Sequence, residues 1–145
     1  MKDQARPEFS IIIKDNEQAV AQAFADKHFV QTYLLVHGLV EALLRMFLRI
    51  NKEEKVNFNE LIQKYRSFLE KERYPIPTFI DELTQFNRRR NRVVHELWRR
   101  GYSLTNSQTE SAARGAVMMY NLLIEWLETF DPEITHIGFR YDEDI

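Results

Sequence analysis

The sequence predicts an all-α fold. Only four glycines and four prolines occur among 145 residues, and long stretches lack both, which favours helices over a turn-rich β fold. Apolar side chains also recur with helical spacing in several segments that are joined by short connections. Together these observations predict one domain, residues 1–145, folded as an antiparallel four-helix bundle. Its core is expected over roughly residues 15–131, with a loose N-terminal arm (1–10) and a C-terminal tail (134–145).

The first two helices are predicted from apolar spacing and from a capping motif. The first runs from about residue 15 to residue 50, with a possible break near residues 26–28. The second runs from about residue 58 to residue 72. Asn57 is its expected N-cap and Glu60 follows three residues later, which is the pattern of a capping box.

The third and fourth helices are predicted between turn-forming residues. Tyr74-Pro-Ile-Pro77 ends the second helix and places Pro77 near the first turn of the third, which should end near Gly101. Ser107 and Glu110 have the spacing of a second capping box, so the fourth helix is expected to open there. It should end before Asp131-Pro132. The tail has no clear periodicity.

Composition excludes several classes of function. Hydrophobic residues make up 44% and charged residues 29%, as in a folded globular chain. The net charge of -2 argues against coating of nucleic acid by bulk charge, so any polyanion must bind to a local basic cluster. The chain has no cysteine and four scattered histidines, so neither a metal nor a cofactor is expected. We found no signal peptide or membrane-spanning stretch and therefore expect a cytoplasmic protein.

Residues 88–95 read Arg-Arg-Arg-Asn-Arg-Val-Val-His, which is the most informative run in the chain. Guanidinium groups bind phosphate in a bidentate fork, and a histidine among them can move protons near neutral pH. The alternative interpretation is a solvated helix face. Turning 100° per residue, Arg90 falls within the apolar stripe, with Asn91 and His95 on its edge. Four other arginines fall on the opposite polar face: Arg89, Arg92, Arg99 and Arg100. A buried Arg90 requires a paired anion.

The first helix places two polar side chains on its own apolar stripe, His37 and Glu41. A lone histidine on such a face is usually a core residue with its hydrogen bonds satisfied. Glu41 is predicted to pair with Arg90, and either a purely structural pair or a pair that orients Arg90 for function fits the pattern. This helix is apolar on nearly every side, which predicts burial against a second subunit as well as its own bundle.

The run from Phe86 to His95 resembles the signature of the HEPN superfamily. That signature is an arginine, four to six residues and then a histidine, often with a polar residue directly after the arginine. Arg88, Arg89 and Arg90 all satisfy the spacing, but only Arg90 is followed by Asn. Residues 34–45 also resemble the first core helix of the family. The likeness covers roughly residues 20–130.

The resemblance implies a metal-independent ribonuclease that acts as a homodimer, with the motifs of two protomers facing one cleft, as in toxins of toxin–antitoxin and phage-defence systems. The implied partners are RNA, a second copy and a cognate antitoxin protein. One subgroup is modified on a tyrosine two residues after the histidine, and Leu97 occupies that position here. Two alternatives remain: an inactive HEPN-like interaction module, and a helical antitoxin or adaptor that binds an acidic partner.

RNA cleavage without a metal requires three actions on the scissile phosphate. A 2′-hydroxyl must lose its proton, a pentavalent phosphorane must be stabilised and the 5′-oxygen must be protonated. An imidazole suits the proton transfers and a fixed guanidinium suits the developing charge, so we assign these roles to His95 and Arg90. Asn91 would orient the imidazole or the phosphate, supported by Glu41 and His37. The RNA backbone would bind to further arginines: Arg88, Arg89, Arg92 and Arg99.

Overall fold

A computed structural model describes the backbone of residues 2–140, except Lys52 and Pro77, and the side chains of that range from Phe9 onward. Every regular element of the described part is a helix and none is a strand, which confirms the all-α prediction. Its helices are α1 Lys2–Ala25, α2 Phe29–Phe47, α3 Phe58–Lys71, α4 Ile80–Arg100, α5 Tyr102–Gln108, α6 Glu110–Glu128 and α7 Glu133–Ile137. None of these helices has the length and apolarity needed to cross a membrane.

The prediction of a loose arm over residues 1–10 is wrong for the described backbone, because α1 is helical from Lys2. The apolar side of α1 packs on the rest of the chain. Ile13 is 1% exposed, and the Phe9 ring lies 5.9 Å from that of Phe139. Once this segment is docked, the preceding residues add helical hydrogen bonds without a new nucleation cost. The spacing of apolar residues in the sequence does not show that the helix extends toward the N-terminus in this way.

Helix α2 is the centre of the molecule and contacts each of the other six described helices. Val36, Leu39, Leu43 and Leu44 are all essentially inaccessible to solvent. Its all-round apolar character is therefore explained by burial within its own chain. The apolar sides of this helix thus no longer indicate a second subunit, and the homodimer stays a prediction. The predicted break near residues 26–28 is confirmed, since Lys27 has a φ of 62° and separates α1 from α2.

Helix α3 begins as the capping box predicts. The Asn57 side chain accepts from the Glu60 backbone N–H at 2.9 Å, and the Glu60 carboxylate accepts from the Asn57 N–H at 3.4 Å. The preceding loop is tied to α2 by Arg45, which donates to the carbonyl of Val56 at 2.8 Å. The start of α3 is thereby held against the C-terminal half of α2.

Helix α4 ends where expected, with Gly101 at a φ of 86°, but the segments around it differ from prediction. It begins at Ile80 after a left-handed Phe79, and Pro77 lies outside the described residues. The capping box at residues 107–110 does not form. Ser107 already belongs to α5 and donates to the Leu104 carbonyl, so it lacks the extended backbone that an N-cap requires.

The C-terminal segment packs on the core. Residues Glu133–Ile137 form α7, and both Ile134 and Phe139 are fully buried. Glu17 on α1 accepts from the Tyr120 hydroxyl at 2.7 Å and from the Arg140 backbone at 3.1 Å. The hydrophobic core thus includes side chains outside the range 15–131. Residues 141–145 of the predicted tail lie outside the described part.

Candidate active site

Helix α4 has a buried side and a separate exposed side that carries the motif. Its buried residues are Ile80, Leu83, Phe86 and Val93. The exposed side, which we call the motif face, consists of Arg90, Asn91, Val94, His95 and Trp98, whose spacing places them on one side of a helix. The prediction that Arg90 lies in a buried stripe is therefore wrong.

The error arises because the buried side of α4 changes along its length. Helix α4 contacts α2, α3 and α5. The contacts to α2 and α3 include Phe86 and Asn87, whereas the Glu96 carbonyl, nearer the C-terminal end, accepts from the Thr105 hydroxyl of α5 at 3.2 Å. A helical wheel assumes one buried direction for the whole helix. Val94 and Trp98 fall on the same apolar stripe as Arg90 when each residue is turned by 100°, but they are 41% and 75% exposed.

Of the three signature residues, Arg90 and Asn91 contact each other, whereas His95 contacts a different side chain. Arg90 Nη1 donates a hydrogen bond to Asn91 Oδ1 at 3.2 Å. The His95 ring instead makes an edge contact with Trp98, with centroids 5.2 Å apart. Side chains five residues apart leave a straight helix in directions about 140° apart. Arg90 and His95 of one chain therefore diverge from a common target.

Glu41 does not pair with Arg90, so the predicted ion pair is wrong. The Glu41 carboxylate contacts Arg45 Nε at 3.4 Å, one helical turn away on α2. The Glu41 side chain is 39% exposed and the Arg90 side chain is also exposed. Neither charge therefore carries the desolvation penalty that would require a buried pair. Within the described residues no acidic group lies within ion-pair distance of Arg90.

His37 is a core histidine whose environment keeps it neutral. It is 8% exposed and stacks between the rings of Phe58 and Phe86, at centroid distances of 4.5 and 5.1 Å. Its Nε2 lies 3.0 Å from Asn87 Oδ1, and since that oxygen only accepts, Nε2 carries the proton. Burial lowers the pKa of His37 below 6.5 against the opposing effect of this hydrogen bond, and the nearby Arg90 charge lowers it further.

This lowered pKa predicts a component of acid sensitivity. In the unfolded chain His37 binds a proton at a higher pH than in the folded chain, so the stabilisation is complete above about pH 6.5 and is lost as the pH falls through and below that value. We expect the free energy of unfolding to decrease less between pH 7.5 and pH 5 in His37→Gln than in the wild type. Denaturant titrations at both pH values measure this, with His136→Gln on the surface as the control. Equal pH dependence in all three proteins would contradict the assignment.

A cavity of about 290 Å³ lies where α2, the start of α3 and the middle of α4 meet. It brings together four of the predicted site residues, His37, Glu41, Arg90 and Asn91, but not His95. Its remaining lining was not predicted: Asn57, Phe58, Asn59 and Asn87. Asn87 could have been found, because it lies one helical turn before Asn91. The contributions from α3 depend on tertiary packing and have no signal in the local sequence.

The basic residues around the motif face fall into two groups. Arg99 and Arg100 both form ion pairs with the Glu96 carboxylate, at nitrogen–oxygen distances of 3.7 and 2.7 Å. The others have no acidic group within ion-pair distance in the described part of the chain: Arg88, Arg89, Arg90 and Arg92. Unpaired guanidinium groups are available for phosphate. No group of three or more histidine, aspartate or glutamate side chains that could hold a metal occurs among the described residues.

Comparison of the chain with protein-family models, with curated protein sequences and with solved structures found no match.

Proposed function

We propose that this protein is a metal-independent endoribonuclease of the HEPN type. The observation that carries the proposal is the motif face, where Arg90, Asn91 and His95 are exposed together on one side of α4 and match the signature spacing. In this proposal α2, α3, α4 and α6 form a four-helix core, and α1, the other part of the first predicted helix, packs on α2.

The reaction follows from the chemistry of these side chains. One His95 imidazole removes the proton of a 2′-hydroxyl, whose oxygen attacks the adjacent phosphorus. A second imidazole, already protonated, donates its proton to the 5′-oxygen as the phosphorus–oxygen bond breaks. Arg90 binds the phosphate and stabilises the charge of the phosphorane. The products are a 2′,3′-cyclic phosphate and a free 5′-hydroxyl.

Two features of the motif face support a shared site in a homodimer. Arg90 and His95 of one chain diverge, so a second chain is needed to bring a guanidinium and two imidazoles to one phosphate. Exposed apolar residues also lie within the same face, with Trp98 75% and Val94 41% exposed. We propose that these residues pack on their symmetry mates across a twofold axis, which aligns the two motifs along one cleft.

The proposed cellular role, a toxin or phage-defence ribonuclease held in check by an antitoxin protein, rests on the family resemblance. The unpaired arginines supply the RNA-binding surface that such an enzyme needs in a protein of net charge -2, because binding depends on local rather than total charge.

Incubation of the purified protein with a set of structured and unstructured RNAs in excess EDTA tests this proposal. We expect fragments that end in a 2′,3′-cyclic phosphate and begin with a 5′-hydroxyl. Cleavage that stops in EDTA, or products with a 5′-phosphate, would contradict the mechanism. Absence of cleavage in every RNA would favour the inactive interaction module or the adaptor.

Salt dependence tests the arginine surface separately from catalysis. Arg92 is exposed and without an acidic partner among the described residues, so it should release a counterion when it binds phosphate. We expect Arg92→Gln to lower the slope of log binding constant against log salt by about one. Arg114→Gln on α6, where the arginine pairs with Glu110, is the matched control. An unchanged slope in Arg92→Gln would exclude a phosphate contact at this position.

A further inference from the structure

The cavity beside Arg90 is lined mainly by polar side chains although it reaches the hydrophobic core. Its volume of about 290 Å³ is close to the lower limit for small-molecule sites, roughly 300 Å³, and suits one flat group such as a nucleobase. Buried Phe58 and His37 form its inner wall, while Asn57, Asn59 and Asn91 are exposed around it.

A hydrogen-bonded chain fixes the orientation of one of these amides. His37 Nε2 donates to Asn87 Oδ1 at 3.0 Å, and Asn87 Nδ2 donates to Asn59 Oδ1 at 3.2 Å. Because His37 is 8% exposed and held between two phenylalanine rings, the chain is anchored in the core. The oxygen of Asn59 is occupied, so its Nδ2 is left to donate to a ligand.

Helix α2 contributes an acceptor to the cavity, the Glu41 carboxylate. Glu41 Oε2 has one long contact with Arg45, 3.4 Å, and Oε1 accepts no hydrogen bond within the described part of the chain. The Asn91 oxygen is occupied by Arg90, so Asn91 also presents its Nδ2 as a donor. The cavity thus combines a carboxylate acceptor with amide donors.

We propose that this cavity binds the base of a guanine nucleotide. Guanine presents two adjacent donors, N1–H and N2–H, beside the acceptor O6, and a carboxylate can accept from both donors while an amide donates to O6. Adenine and cytosine place an unprotonated ring nitrogen where guanine has N1–H, which would face the Glu41 carboxylate. Uracil offers a single donor between two carbonyls. Each of these leaves polar groups of the site unpaired.

Arg90 lies in this cavity and on the motif face, so the bound base would belong to a nucleotide next to the scissile phosphate. This assignment to a cleavage position rests on the proposed ribonuclease function, whereas binding of the base does not. The inferred specificity is cleavage next to an unpaired guanine.

Titration of the full-length protein with the four 3′-mononucleotides, followed by calorimetry or NMR, tests the inference without requiring cleavage. We expect 3′-GMP to bind roughly ten-fold or more tightly than the other three. Glu41→Gln should abolish that preference, and Asn59→Ala should reduce it. Glu125→Gln on the exposed side of α6 is the matched control, and thermal melting confirms that each variant is folded.

Equal binding of the four nucleotides, or a guanine preference that survives Glu41→Gln, would overturn the inference. Mapping of cleavage sites separates it from the proposed function. Cleavage without guanine preference would refute the pocket assignment and leave the enzyme assignment intact. Selective 3′-GMP binding without any RNA cleavage would support the pocket and refute the ribonuclease proposal.

Discussion

Replacing His95 by alanine should lower the rate of RNA cleavage by roughly 10²- to 10⁴-fold, which is the usual contribution of a general acid or base. The two proton transfers in the proposed mechanism use one His95 imidazole from each protomer, and the variant dimer lacks both. His95 is exposed on α4 and its ring contact is with the exposed Trp98, so we expect the free energy of unfolding to change by no more than about 0.5 kcal/mol.

Single-turnover cleavage rates and denaturant titrations measure the two quantities on the same preparations. His136→Ala on α7, another exposed histidine, is the control and should cleave like the wild type. Arg90→Ala should lose cleavage to a similar extent, whereas Arg99→Ala should have a modest effect because that arginine pairs with Glu96. Full activity in folded His95→Ala would refute the catalytic assignment.

Replacing Trp98 by serine should weaken the proposed dimer by roughly 2 kcal/mol or more, since buried tryptophans are common hot spots of protein interfaces. The side chain is 75% exposed in the single chain, so folding should be unaffected. Cleavage should fall at low protein concentration and recover as the concentration is raised, because only the dimer contains a complete site.

Sedimentation velocity across a concentration series measures the association. Met118→Ser is the matched control: Met118 is 64% exposed on α6, away from the motif face. A dimer of unchanged strength in Trp98→Ser, or a fully active monomer, would contradict the proposed interface.

The elements that could be predicted from sequence are those whose signals are local. The capping box at Asn57, the glycine that ends α4 and the break at Lys27 all depend on residues within a few positions, and the structure contains each of them. The capping box at Ser107 does not form because α5 continues helically through that position.

The residues of the candidate site could be predicted from the sequence, but which of them are buried could not. The Arg90–His95 run is visible in the printed sequence, and so is the pair His37 and Glu41 on one side of α2. Which face of α4 is buried depends on α5, and which cation reaches Glu41 depends on the nearness of Arg45. Because Arg90 is exposed, burial no longer distinguishes it from the other arginines. Because α2 is buried within its own chain, that helix no longer indicates a dimer, and the exposed Trp98 is the feature that supports one.

Mixing wild-type and His95→Ala chains tests the central claim, a ribonuclease site shared between protomers, most directly. The proposed cleft needs one His95 imidazole from each protomer, so a heterodimer with a single His95 should be inactive. With the amount of wild-type protein held constant, an increasing excess of folded His95→Ala, after subunit exchange verified with differently tagged chains, should lower cleavage as heterodimers replace wild-type homodimers. Cleavage that stays at the level of the wild-type protein alone although the heterodimer has formed would contradict the shared site.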